Sequence, residues 1–135
     1  MDTNTMRQLR IAAQSGEAAA QFNLGVLHDS RFDDNGYVIE GDRTEAIKWL
    51  LAAAEQGLPR AQSRLAELYT DSPNTSENDI DACAWFLLAT TSARGIHRHY
   101  ARSGYERIAT RLTPAQLTKA EGLAQLWRAR IGPTA

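Results

Sequence analysis

Two stretches of the chain share one layout, and that repetition restricts the possible folds more than any other feature. "AAQSGEAAAQFNLGVLH" runs from Ala12 to His28, and "AAEQGLPRAQSRLAELY" from Ala53 to Tyr69. A shift of 41 residues sets Gly16 on Gly57, Ala20 on Ala61, Gln21 on Gln62, Leu24 on Leu65 and His28 on Tyr69. A second register, at 36 residues, sets "TEAIKWLLA" on "IDACAWFLL", with Ala46 against Ala82, Trp49 against Trp85 and Leu51 against Leu87. Self-similarity at this period is the mark of a helical solenoid, in which each unit is a helix pair whose apolar faces are covered by its neighbours.

The difference between the two shifts places an insertion between Asp29 and Asp42, where "DSRFDDNGYVIEGD" carries turn residues rather than helical periodicity. Asn35-Gly36 is expected to form a tight turn there. The acidic run approaches a calcium-loop pattern, but with Gly36 at the sixth position the first ligand would be Arg31, a cation. That reading fails.

Each repeat reads as an A helix followed by a B helix. The A helices are expected at about residues 17–29 and 59–70, and the B helices at about 43–56 and 79–93. Asp42 precedes Glu45, and Asn78 precedes Asp81, at N-cap spacing. Gly16 and Gly57 suit the left-handed residue that ends a helix, and Pro59 suits the first position of the next. Ala46, Trp49, Leu50 and Ala53 form one apolar face of the B helix, and Ile47, Leu51 and Ala54 an adjoining one, so the helix has neighbours on two sides. Ala20, Gly25, Ala61 and Ala66 allow close backbone approach.

In the last third, Ala101, Tyr105, Ile108 and Leu112 share a helical face and mark a third A helix. Thr113-Pro114-Ala115-Gln116 reads as a capping box, opening a helix whose apolar face is Leu117, Ala120, Ala124 and Trp127. Lys119, Glu121, Gln125 and Arg128 are expected to face water, as a terminal cap requires. At the other end Met6, Leu9, Ala12 and Ala13 mark an N-terminal helix.

The pattern A-A-x-x-G-x-x-x-A-Q-x-x-L-[AG], followed by A-x-x-W, resembles the Sel1-like repeat family, relatives of tetratricopeptide repeats that serve as adaptor scaffolds. Asn35-Gly36-Tyr37-Val38 is similar to part of that family's G-x-G-V loop signature, which "DSPNTSENDIDA" lacks. The resemblance implies an all-α, right-handed α/α solenoid of about three helix pairs: an N-terminal helix over 3–15 and repeats over about 17–57, 58–94 and 95–131, all within one domain, 1–135. Some cysteine-rich members of the family are linked to β-lactamase activity, but their repeats carry paired cysteines and this chain has one.

Catalytic groupings are not found in the pattern. Cys83 aligns with Ile47 on a B-helix apolar stripe and is expected to be a buried, inert thiol. His28 occupies the place of Tyr69 and reads as a core or edge residue, while His97-Arg98-His99 lacks the spacing and partners of a metal site. Phosphate loops, zinc spacing and a nucleophile elbow are absent from the sequence. No enzyme activity, cofactor or metal is expected. With no apolar run of spanning length, a soluble cytoplasmic protein is the simplest expectation.

The expected function is binding of a protein or peptide, by a monomer or a weakly self-associating chain. In solenoids of this class the A helices usually line the concave surface. Outward positions on the second A helix are Arg60, Ser63, Arg64 and Glu67. In the first repeat Phe22, Asn23 and Val26 stand at the equivalents of Ser63, Arg64 and Glu67, apolar at two places where the second repeat is polar. These seven residues are the candidate partner-binding set, with Phe22 and Val26 as apolar anchor unless the N-terminal helix covers them. Charge supports an alternative. Residues 1–93 carry a net charge of −7 and residues 94–135 one of +6, with Arg94, Arg98 and Arg102 at i, i+4, i+8 and Arg107 paired with Arg111 on a helical face. That distribution suits nucleic acid or another polyanion, or head-to-tail contact between copies.

Overall fold

A computed structural model of the chain describes residues 3–29, 42–71 and 76–131. The described residues form seven helices and no strand: α1 (Thr3–Gln14), α2 (Ala18–Asp29), α3 (Arg43–Glu55), α4 (Pro59–Asp71), α5 (Ser76–Ser92), α6 (Gly95–Ala109) and α7 (Pro114–Ile131). The expected turn at Asn35-Gly36 and the segment through Val38 lie outside the described residues. Two compact units make up the chain, residues 1–53 and residues 54–135.

The first unit holds α1, α2 and most of α3. Ala13, Ala20 and Leu24 are its buried centre, and Met6, Leu9, Ala12 and Trp49 pack against them. Asp42 caps α3 as its spacing predicts, its Oδ1 accepting the Glu45 amide at 3.0 Å. Glu45 in turn accepts the Trp49 indole N–H at 3.2 Å, and the Lys48 ammonium sits 4.9 Å from the Trp49 ring centre. Gly25 lets α2 and α3 touch: a Cβ there would meet Leu50 Cγ at 2.7 Å.

The second unit is built around α5, which packs against α4, α6 and α7. A helix with three neighbours needs apolar residues on most of its circumference. Ala82, Cys83, Ala84, Trp85, Phe86, Leu88 and Ala89 are accordingly all buried. Trp85 stacks on Trp127 of α7 with ring centres 4.5 Å apart and planes 28° from parallel. Ala120 and Ala124 complete the buried face of α7, while Lys119, Glu121, Gln125 and Arg128 are exposed. Thr113 and Gln116 bond reciprocally, amide to side chain at 2.9 and 3.2 Å, as the capping box predicts.

The repeated glycine and glutamine have a common structural role. Gly16 and Gly57 have φ of 103° and 91°, a region that side-chain-bearing residues rarely adopt. Their amides donate to the carbonyls of Ala13 and Ala54 at 3.1 and 3.0 Å. The same two carbonyls accept Gln21 Nε2 at 3.1 Å and Gln62 Nε2 at 3.2 Å, each from eight residues further on. Each glutamine thereby ties the start of an A helix to the end of the helix before it. Both glutamines are buried, so an apolar replacement would forfeit a shielded hydrogen bond.

Two expectations are corrected. Helix α5 begins at Ser76, so Asn78 lies inside it instead of capping it. Just after the added turn, Asp79, 8% exposed, pairs with Arg111 at 3.5 Å. In α6 the buried positions are Ala101, Gly104 and Ile108, with Tyr105 only half-buried and Leu112 beyond the helix end. Glycine replaces tyrosine at the contact because α6 lies against the Phe86 ring, leaving no room for a side chain at residue 104.

Candidate partner-binding groove

Helices α4 and α6, the A helices of the second and third pairs, form the walls of a cavity of about 310 Å³ within the second unit. Glu67, Thr70 and Asp71 line it from α4, while Tyr100, Gly104, Arg107 and Ile108 line it from α6, with Arg111 just beyond. Phe86 of α5 and Ile108 are almost wholly buried and supply an apolar floor. Both walls follow from helix geometry. Pro59 opens α4 directly after the left-handed Gly57, and Ala61, Leu65, Ala66 and Leu68 turn inward, leaving Glu67 and Asp71 on the other side one turn apart. On α6, residues 100, 104 and 108 recur every four positions and share a face.

The rim is charged, and most of its charges are paired. Glu67 accepts the Tyr100 hydroxyl and lies 4.0 Å from Arg64. Burial, then the hydrogen bond and negative charge of Glu67, push the Tyr100 phenol up to about 12, against the opposing pull of Arg64 and Arg107. Tyr100 is therefore a hydrogen-bond donor at neutral pH. Arg111 is engaged by Asp79. Arg107 is exposed and has no carboxylate partner among the described residues.

The residues anticipated from the sequence are distributed unevenly. Glu67 lines the groove, Arg64 braces it, and Arg60 is exposed at the start of α4. Ser63 is a correction: it is 6% exposed and is not an outward position. A small side chain on a helix packed against both α5 and α6 disappears beneath its neighbours, while the longer Arg64 beside it still reaches the surface. In the first unit Asn23 is exposed, and Phe22 and Val26 are half-buried on one face of α2. The core shared with α1 is centred on Ala20 and Leu24.

The α6 wall was missed by sequence reasoning. Arg107 and Arg111 were visible as a basic pair on a helical face, but only the folded structure shows that this face rests on Phe86 of α5 and meets α4 through the Tyr100–Glu67 bond.

The other chemistry-bearing groups are dispersed. Cys83 is buried on α5, and burial, with the Glu121 charge, pushes its thiol up to about 12, so it is not a nucleophile at neutral pH. His97, Arg98 and His99 are exposed on the first turns of α6. Among the described residues, no three His, Cys, Asp or Glu side chains come together in a metal-binding group. None of the described helices is long and apolar enough to cross a membrane.

Helix pairs joined through a repeated glycine and glutamine, with a side-chain-lined groove between successive A helices, place this chain among the α-helical repeat proteins. Its family follows from the sequence of those pairs. The Sel1 repeat model matches residues 18–58 and 59–92, and the chain belongs to the Sel1 repeat family. Members generally act as noncatalytic protein–protein interaction scaffolds. A solved protective antigen of uropathogenic Escherichia coli strains, displaying an SLR fold, is similar over 93% of this chain, at 34% identity and a TM-score of 0.77. The match spans 25% of that antigen's length. A Sel1 repeat protein from Oxalobacter formigenes matches over 91% of this chain and 98% of its own, at 26% identity and a TM-score of 0.53. No curated protein matches the chain.

Proposed function

We propose that residues 1–135 act as one noncatalytic interaction module that receives a peptide or partner helix on the outward faces of its A helices. The observation that supports this most is the groove between α4 and α6, whose apolar floor and charged rim match how recognition sites place a hydrophobic anchor inside polar contacts. Arg60, Arg64 and Glu67 extend the contact face along α4. Phe22, Asn23 and Val26 offer a second face on α2. A photo-reactive amino acid placed at Tyr100, at Phe22 and, as a control, at the exposed Lys119 of α7 tests the reading in cells. Discrete cross-linked proteins are expected from positions 100 and 22 and not from 119. Equal labelling at all three positions, or none at the first two, would refute it.

A second reading, binding of nucleic acid or another polyanion, draws on the exposed Arg94 and Arg98. It ranks lower because Arg102 is paired with Glu106 at 3.4 Å and Arg111 with Asp79. Oligonucleotide binding that weakens steeply with salt would favour it.

A further inference from the structure

Building on the interaction-module reading, we infer that the α4–α6 groove selects an acidic peptide: a large apolar side chain enters the cavity above Phe86 and Ile108, and a neighbouring carboxylate pairs with Arg107. Volume and charge both lead there. A cavity of about 310 Å³ with a floor of buried ring and aliphatic carbon accommodates a leucine, phenylalanine or tryptophan side chain. Polar groups around it are mostly engaged: Glu67 by Tyr100 and Arg64, Asp79 by Arg111. Arg107 is the rim cation with no carboxylate partner among the described residues, in a segment, 94–135, whose net charge is +6. Asp71 on the α4 wall repels a second anion there, so the favourable place for a carboxylate is the α6 side.

An apolar strip adds a direction. Ile96, 77% exposed, and Tyr100, 46% exposed, precede Gly104 and Ile108 at four-residue intervals on the same face of α6. A helix rises 1.5 Å per residue, so Ile96 lies about 12 Å along α6 from the cavity at Gly104, on the side away from Arg107. The peptide accordingly presents, in spatial order, a small or medium apolar residue over Ile96, the anchor in the cavity, and the acid at Arg107.

The test is selection of a phage-displayed random dodecapeptide library on the full chain and on its Arg107→Glu variant. Arg107 is exposed, so the variant should keep the wild-type circular dichroism spectrum and melting temperature. The inference expects wild-type pools enriched in Asp or Glu close to Leu, Phe or Trp. It also expects the leading synthetic peptide to bind Arg107→Glu about tenfold more weakly, equivalent to about 1.4 kcal/mol, and to recover when its acid is changed to lysine. Enrichment of basic peptides, equal binding to both proteins, displacement by a short oligonucleotide, or no enriched peptide would overturn it. The photo-cross-linking experiment keeps the two readings apart. A partner captured from position 22 or 100 alongside any of these results leaves the interaction module standing and removes only the acidic-peptide assignment.

Discussion

Adding one methyl group at Gly104 tests the packing that places the α6 wall of the groove. A Cβ there would lie 2.3 Å from Phe86 Cε1, 2.4 Å from Cζ and 2.7 Å from Cδ1. Carbon atoms make ordinary contact at about 3.5–4.0 Å, so the ring or the helix must retreat by about 1 Å. Phe86 is 2% exposed, so its ring can yield only toward the cavity it floors, and moving there changes the groove. Overpacking of this kind costs about 1–3 kcal/mol, and three ring atoms inside the limit argue for the upper end. Alanine recovers about 1 kcal/mol over glycine in a helix interior, which leaves Gly104→Ala about 2 kcal/mol less stable than wild type.

Gly122, exposed in α7 with nothing within 4 Å of its Cβ position, is the internal control. Gly122→Ala receives only the propensity gain and should be about 1 kcal/mol more stable, separating the two alanine variants by about 3 kcal/mol. Urea unfolding followed by far-ultraviolet circular dichroism measures both. Shrinking the ring by Phe86→Leu should remove most of the Gly104→Ala penalty in a double-mutant cycle. If Gly104→Ala were as stable as Gly122→Ala, the close approach of α6 to Phe86 would be wrong, and with it the shape of the groove.

Gln62→Met preserves bulk while removing the donor to the Ala54 carbonyl, which keeps its bond from Gly57; a loss of about 1 kcal/mol is expected by chemical denaturation. Thr113→Ala breaks the capping box of α7 and should cost about 1 kcal/mol, read as a lower urea midpoint, with Thr113→Ser close to wild type. Stability should fall as pH rises between about 9 and 12, because Cys83 loses its proton near its ordinary value of 9.0 when unfolded but holds it to about 12 when folded. The unfolded chain then binds fewer protons than the folded one. Cys83→Ala should flatten that alkaline slope in pH-dependent urea titrations, and Tyr100→Phe should flatten it further.

Helix number, order and approximate limits were legible because each depends on neighbours in the chain. The N-cap at Asp42, the left-handed glycines at 16 and 57, Pro59 and the box at Thr113 act within a few residues of themselves, so local pattern suffices to find them. The conserved spacing of glycine and glutamine was visible as a repeat, but the physical purpose of the glutamine, a bond to a carbonyl eight residues earlier, appears only once the helices are folded back on each other. Ser63 shows the limit of the approach. Its polarity and its place on the helix both suggested an outward position, yet burial depends on how closely neighbouring helices approach, which no local pattern encodes.

The amino-acid sequence by itself determined an all-α repeat with small residues at several helix contacts, because helical periodicity, caps and breakers are properties of short segments. Tertiary structure alone decided the groove. Its walls are brought together from Glu67 and Tyr100, 33 residues apart, and its depth is set by the Phe86 ring pressed against Gly104. Such a contact is a balance of volumes between distant side chains, and that balance exists only when the chain has packed.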